Sequence, residues 1–211
     1  MARTLAFPYK RGEIIQTSPA NIQYDEENNG RAFLYLPTEF QDLLEDLRSG
    51  KGILTPIWCS PISIEGGNGL KLVAGQRRLL AGLEYLKENP DFLIKVLVVE
   101  PEDDLDALEM NARENSGRKD LSIIDHGHIA VRLREEPTKT GGRTLEQISK
   151  ILNISQAQVT QAIKIVEGLP EVVQKAIHQG KIKTDDALTV LKVSDPAKRK
   201  DMIAEFLTGK V

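Results

Sequence analysis

Residues 144–164 read T-L-E-Q-I-S-K-I-L-N-I-S-Q-A-Q-V-T-Q-A-I-K, and their spacing decides the architecture of the C-terminal half. Thr144-x-x-Gln147 and Ser155-x-x-Gln158 are two capping boxes eleven residues apart. In such a box the hydroxyl accepts from a backbone N–H of the first turn while the amide reaches back to the cap, so the pair marks two consecutive helix starts. Ser149 is small enough for a close helix crossing, Asn153 tolerates a left-handed turn, and Val159 can pack the second helix onto the first. That small, turn and apolar spacing of four and then six residues fits a DNA-binding helix-turn-helix. An ordinary helical hairpin is the alternative.

The second helix then presents Gln156, Ala157, Gln158, Thr160, Gln161 and Lys164. Amides pair with adenine edges in the major groove and Lys164 reaches phosphate. Thr144 and Ser155 at the helix starts complete the candidate DNA-facing set. Downstream, Val172, Val173, Ala176 and Ile177, then Ala187, Leu188 and Leu191, and finally Met202, Ile203, Phe206 and Leu207 recur at helical spacing and predict a supporting core. Lys198-Arg199-Lys200 reads as a solvated charge run.

Upstream the pattern changes. Pro137 to Gly142 (P-T-K-T-G-G) is the clearest linker. Residues 1–30 read as tail and loop. Thr38-Glu39-Phe40-Gln41 matches a capping box and precedes Phe40, Leu43, Leu44 and Leu47 at helical spacing. Ile53 to Cys59 reads as a strand, which Pro56 marks as an edge strand or a bend. Glu65 to Gly69 is a turn between two short apolar runs and predicts a hairpin. Leu79, Leu80, Leu83 and Leu86 predict a helix ended by Asn89-Pro90. Phe92 to Val99 reads as another strand, with helix from about Glu102.

At the start of the leucine-rich helix the chain reads V-A-G-Q-R-R-L-L (73–80). Arg77 and Arg78 sit at a helix N-terminus, where the macrodipole disfavours cations. A strand, a glycine and a helix start present backbone N–H groups that suit a phosphate, and the arginines add charge-assisted donors. Paired surface arginines in salt bridges are the plain alternative. A second stretch, Glu114-Asn115-Ser116-Gly117-Arg118-Lys119-Asp120-Leu121, mixes carboxylates, an amide and cations in a way that suits a metal–phosphate group. A polar helix end and turn is its plain alternative.

The 211 residues suffice for two modest domains. Cys59 is the single cysteine, so no disulfide forms within the chain, and a cytoplasmic protein is expected. The N-terminus lacks the apolar core of a signal peptide and no run approaches a membrane span. The net charge of −3 argues against general polyanion binding, yet residues 141–211 hold 11 Lys and Arg against 8 Asp and Glu, while residues 1–140 hold 17 against 23. A basic end on an acidic body suits nucleic-acid contact by that end alone. His126-Gly127-His128 offers two imidazoles, but positions i and i+2 do not share a helix face. Cys59 reads as packing rather than chemistry.

Taken together, these stretches resemble the ParB family of partition proteins, including its KorB-like branch, over roughly residues 14 to 195. Gly75-Gln76-Arg77-Arg78 stands where the family has a Gly-Glu-Arg-Arg box. Glu114-Asn115-x-x-Arg118-x-Asp120-Leu121 matches its second box, and Gly52-Ile53-Leu54-Thr55-Pro56-Ile57 looks like the segment before the hairpin. Asn29-Gly30-Arg31 is a looser match to an early Gln-Pro-Arg motif. Leu169-Pro170-Glu171-x-Val173 and Gly180-Lys181 follow the helix-turn-helix in the family manner.

The resemblance implies an α+β, ParB/sulfiredoxin-like N-terminal nucleotide-binding domain over 1–108. A helical connector with the second nucleotide motif would cover 109–140, and an all-α helix-turn-helix domain 141–211. It implies CTP with Mg²⁺ as cofactors, lined by Arg31, Thr55, Gly75, Gln76, Arg77, Arg78, Glu114, Asn115 and Arg118, with Glu114 and Asn115 near the metal. It implies a homodimer that closes through its N-terminal domains around double-stranded DNA, and a ParA-type ATPase as partner, with no membrane. Gln76 replaces a glutamate, which removes a base or water-positioning carboxylate and leaves weak CTP hydrolysis at most. Leu80 stands where the box often has another arginine, and Asp185-Asp186-Ala187 lacks the family's His and Arg. The chain ends at Val211, where members usually continue into a C-terminal dimerisation domain, so a truncated chain or a different mode of dimerisation is expected. Two rivals remain: a helix-turn-helix transcriptional regulator that does not use nucleotide, and an enzyme on the same scaffold. A sulfiredoxin would need a cysteine at position 76.

Overall fold

Two strands of eight residues, β3 (Ile57–Ile64) and β4 (Gly67–Ala74), pair antiparallel as the hairpin that the apolar runs predict. The computed structural model describes residues 8–25, 40–64, 67–116, 121–135 and 141–208. The chain divides into a first unit, Met1–Asn29 with Leu34–Asn111, and a second, Gly30–Phe33 with Ala112–Val211. In the first unit, β1 (Ile14–Thr17), β2 (Ile22–Gln23) and β5 (Ile94–Val98) complete a mixed sheet of order β1-β5-β3-β4-β2. β1 runs antiparallel to β5, β5 parallel to β3, and β2 parallel to β4.

Three expectations change here. Residues 1–30 are not all tail and loop, because they supply both edge strands. β1 exposes Ile14 and β2 is two residues long, so neither leaves a readable apolar alternation. The strand expected from Ile53 begins only at Ile57, and Pro56 precedes it rather than marking an edge, since β3 is central. The proline inside β3 is Pro61. It pairs with Leu70 but lies past the Ile57–Cys59 segment that bonds β5, so its missing N–H interrupts no second ladder. The third change is at helix α1 (Gln41–Arg48), whose cap is Phe40; Thr38 and Glu39 of the expected capping box lie outside the described residues.

Helix α2 (Gln76–Leu86) lays Leu79 on the sheet among Ile22, Ile57, Cys59, Leu70, Ile94 and Val96. Its other side packs Ala81 against Phe40 and Leu47 of the α1 segment. The register of β3 and β4 slips between Trp58 and Cys59, which leaves Val73 as an extra residue one turn before the helix. The Val73 carbonyl accepts from the buried Asn111 Nδ2 at 2.7 Å, which ties the bulge to α3 (Asp104–Asn115).

The second unit is helical in its described residues: α4 (Ile123–Glu135), α5 (Leu145–Leu152), α6 (Gln156–Gly168), α7 (Glu171–His178), α8 (Thr184–Lys192) and α9 (Pro196–Thr208). Both capping boxes form, and Asn153 takes φ 54° between α5 and α6. Ile148, Leu152, Val159 and Ile165 are fully or almost fully buried. The expected connector is therefore more than a connector, because Ile124 of α4 lies in one core with Ile165, Leu169, Val173 and Ile177. Pro137 to Thr140 lie outside the described residues, while Arg143 N–H donates to Leu133 O at 2.7 Å and ties the start of α5 to the end of α4. Val172 and Leu207 were expected in the core but are exposed; Val173, Ala176 and Ile177 fill the inward face of α7 instead.

Gly127 explains how α4 reaches α6. A Cβ there would lie 2.4 Å from Val166 Cγ2 and 2.6 Å from the Ala162 carbonyl oxygen. Gln174 braces the same junction: its Nε2 donates to Val166 O and Leu169 O, which orients Oε1 to accept from His128 Nε2 at 2.8 Å. His126 is pushed down from its ordinary pKa by burial, which outweighs the attraction of Asp125. Among the described residues no group of three or more His, Cys, Asp or Glu gathers to hold a metal.

Gly127→Ala should destabilise the second unit by about 1–3 kcal/mol, because the obstacle is α6 backbone and cannot rotate away; urea denaturation measures it, and an unchanged midpoint would refute the close crossing. Asn153→Gly should keep or slightly raise stability, while Asn153→Val should lose about 1–2 kcal/mol, the cost of the left-handed conformation for a branched side chain. The same denaturation series reads both.

Candidate nucleotide site and nucleic-acid interface

The first unit turns from β4 into α2 at Gly75, whose φ of 100° is a left-handed conformation that glycine adopts without strain. Space demands glycine as well: a Cβ would lie 2.9 Å from Ile57 Cγ2 and 3.2 Å from the Arg78 guanidinium carbon. Arg78 thus folds back over the turn. Its Nη1 donates to Pro56 O at 2.5 Å and to Thr55 O at 3.3 Å, and the residue is 5 % exposed. Arg77 instead reaches α1, where its Nη2 contacts both carboxylate oxygens of Asp42 at 2.6 and 2.5 Å. The two cations at the helix start are therefore met from within the chain, one by backbone dipoles and one by a carboxylate.

Burial pushes the Asp42 carboxyl up, but the Arg77 guanidinium together with the Leu43 and Asp42 backbone N–H groups outweighs it and holds the group below its ordinary range. With the folded-state pKa depressed, this contribution is present above the ordinary carboxylate pKa and is lost as the pH falls through the depressed value. Gln76 is 6 % exposed, and its Oε1 is buried without a hydrogen-bond partner. A carbonyl oxygen in that state lacks a donor. Cys59 is buried, and burial raises its thiol to about 12, so it packs as a small apolar group.

Of the residues expected around the nucleotide, the structure gathers Thr55, Gly75, Gln76, Arg77 and Arg78 at one turn, although Thr55 contributes there through its carbonyl. Arg31 and Arg118 lie outside the described residues. Glu114 and Asn115 stand in the last turn of α3 and belong to the second unit. Asp42, the Pro56 carbonyl and Asn111 escaped the sequence reading, since nothing in the sequence links them to a turn more than 18 residues away. As a cradle the turn suits an anion in part: a helix start offers N–H groups, and Arg77 is a cation that an exposed partner can release.

The second unit offers α6 to solvent. Gln156, Ala157, Gln158, Gln161 and Lys164 are exposed and Thr160 is half-buried, while Val159, Ala162, Ile163 and Ile165 face the core. Not every expected side chain is equally available. Gln158 Oε1 accepts from Ser155 N–H at 2.9 Å and from Ser155 Oγ at 3.0 Å, so its amide NH₂ is what remains to offer. Thr160 Oγ1 donates to Gln156 O at 2.9 Å, so its hydroxyl proton is already engaged within the helix. Thr144 and Ser155 Oγ are engaged as caps. Gln156, Gln161 and Lys164 form the reach of the helix.

Residues 119–211 match the ParB HTH domain family. The chain is 28 % identical over 167 residues to the chromosome-partitioning protein ParB of Caulobacter vibrioides, covering 79 % of this chain and 51 % of that protein. It is 30 % identical over 151 residues to the chromosome-partitioning protein Spo0J of Thermus thermophilus, covering 72 % and 50 %. A nucleoid occlusion protein of Bacillus pumilus is 28 % identical over 156 residues, covering 74 % and 50 %. The chain spans about half the length of these curated relatives. The crystal structure of C-terminally truncated ParB from Caulobacter crescentus, complexed to the centromeric parS site, shares the fold with a TM-score of 0.59 at 22 % identity, covering 92 % of both chains. With a mixed α/β unit, the Gly75 turn and a doubly capped helix-turn-helix in the matching order, the chain belongs to the ParB family of partition proteins.

Proposed function

We propose that this chain is a DNA-binding partition protein that reads duplex DNA with α6 and takes CTP with Mg²⁺ in its first unit, two copies closing through their N-terminal domains around the DNA. The observation that carries the DNA reading is the geometry of residues 144–164: two complete capping boxes on either side of a left-handed Asn153, with α6 exposing Gln156, Gln161 and Lys164. That arrangement can insert the start of a helix into the major groove. The parS complex of the Caulobacter protein supports the same use of the fold. A ParA-type ATPase is the proposed partner in segregation.

The nucleotide reading rests on the Gly75 turn, on Arg77, and on the buried Gln76 Oε1 that lacks a donor. CTP supplies the phosphate anions at the helix start. Arg77 would bind them, and Gly75 would let them approach the backbone. Gln76 carries no carboxylate to activate water, so the clamp would open slowly by hydrolysis or not at all.

Specific observations favour a second reading, a helix-turn-helix regulator that does not use nucleotide. Arg78 is buried against two carbonyls and Arg77 is already paired, so the first unit holds both cations without a ligand. The nucleoid occlusion relatives show that this chain type is not confined to partition proteins by name.

Against duplexes selected from a random pool, Lys164→Ala should weaken binding alike on all sequences and lower the salt slope by about one. Gln161→Ala should cost about 1–3 kcal/mol on the selected site and relax one base position. Equal, sequence-independent losses for both would refute base reading by α6. Titration calorimetry with CTP and Mg²⁺, with and without that duplex, should show saturable binding; no heat in either arm selects the nucleotide-free regulator.

A further inference from the structure

The two arginines of the Gly75 turn differ in how firmly they are held. Arg78 is buried under Gly75's missing side chain and bonded to the Thr55 and Pro56 carbonyls. The Arg77 side chain is 26 % exposed, and Asp42, whose two carboxylate oxygens it contacts, is 64 % exposed at the first turn of α1. A carboxylate and a phosphate present the same paired oxygens to a guanidinium. We propose that Asp42 is an internal anion that holds Arg77 when no ligand is bound, so that a nucleotide phosphate takes Arg77 by displacing Asp42 and uncouples the start of α1 from the start of α2.

The inference rests on the nucleotide reading above. It deepens that reading by giving the site a competitor built into the fold. Three features support an exchange rather than a fixed brace. Asp42 regains solvent at little cost because it is mostly exposed already. α1 stays anchored without the pair, since Phe40 and Leu47 are buried against Ala81. The neighbouring Gln76 Oε1, buried and lacking a donor, leaves the same turn short of a hydrogen bond that a nucleotide's hydroxyl or amino group, rather than its phosphates, can supply. Arg77 thus links ligand binding to α1, while Arg78 keeps the turn in shape throughout.

The test compares Mg²⁺–CTP affinity by calorimetry in the full chain and in Asp42→Asn, Asp46→Asn and Arg77→Gln variants. Asp46 lies on the same helix but pairs with Lys51 at 3.0 Å, so its variant makes the same charge change away from Arg77. Asp42→Asn should tighten binding about two- to fivefold, the range an exposed ion pair is worth, and the gain should shrink at high salt. Asp46→Asn should leave the affinity where it was, and adding Arg77→Gln to Asp42→Asn should abolish the gain. Equal tightening by Asp42→Asn and Asp46→Asn would reduce the effect to net charge and overturn the competition. Wild-type binding that Asp42→Asn leaves unchanged or weakens would overturn it too, with the nucleotide reading intact. No binding by any variant would overturn both. A thermal melt of Asp42→Asn guards against misfolding; if it melts early, Asp42→Ser repeats the comparison.

Discussion

How near two helices approach is set by what their backbones meet, and in the second unit the answer is fixed at Gly127. With no side chain there, α4 comes close enough that a single added carbon would strike the Ala162 carbonyl. Ala162 lies on the buried face of α6, between the exposed Gln161 and the buried Ile163. The seat of α6 is therefore decided on its hidden side. Gln174 reinforces it by using both ends of its amide, a geometry that allows His128 only as a donor through Nε2. On the polar face of α6, Gln158 and Thr160 are bonded within the helix start, while the apolar face and a buried amide hold the helix in place.

The first unit solves a different problem with the same economy of space. A buried guanidinium stays charged at any accessible pH and must be met by anions or aligned dipoles. At Arg78 the Thr55 and Pro56 carbonyls serve, and they are available because the chain bends just before β3 begins at Ile57. Gly75 lets the side chain double back to reach them. One missing Cβ thus serves the strand-to-helix turn, the packing of Ile57 and the placement of a cation. The bulge at Val73, held by Asn111, sets where that turn starts.

Much of this was legible in the sequence because it is written in local chemistry. Thr144 with Gln147, Asn153, and Ser155 with Gln158 act within a few residues, so spacing alone located the two helices and their turn. The β3–β4 hairpin and α2 announced themselves through apolar runs and glycine. What stayed hidden depends on distant partners. β1 and β2 are too short and too polar to show a period, and they exist because β5 and β4 offer ladders to them. The use of Arg77 and Arg78 was legible only as a surplus of positive charge. Asp42 and the Thr55–Pro56 peptide, which settle where that charge goes, lie 35 and 22 residues away.

Gln76 draws these strands together. A carboxylate at this nearly buried position would need a neighbouring cation, and Arg78 is two residues along the same helix start. The neutral amide makes no such demand, and the Thr55 and Pro56 carbonyls both accept from Arg78. The cost falls on the amide itself, whose carbonyl is buried without a donor. Phosphate oxygens accept but do not donate, so a phosphate alone would not relieve it; a hydroxyl, an amino group or a cation would. A neutral amide at position 76 therefore asks any ligand of this turn for a hydrogen-bond donor rather than for a balancing charge.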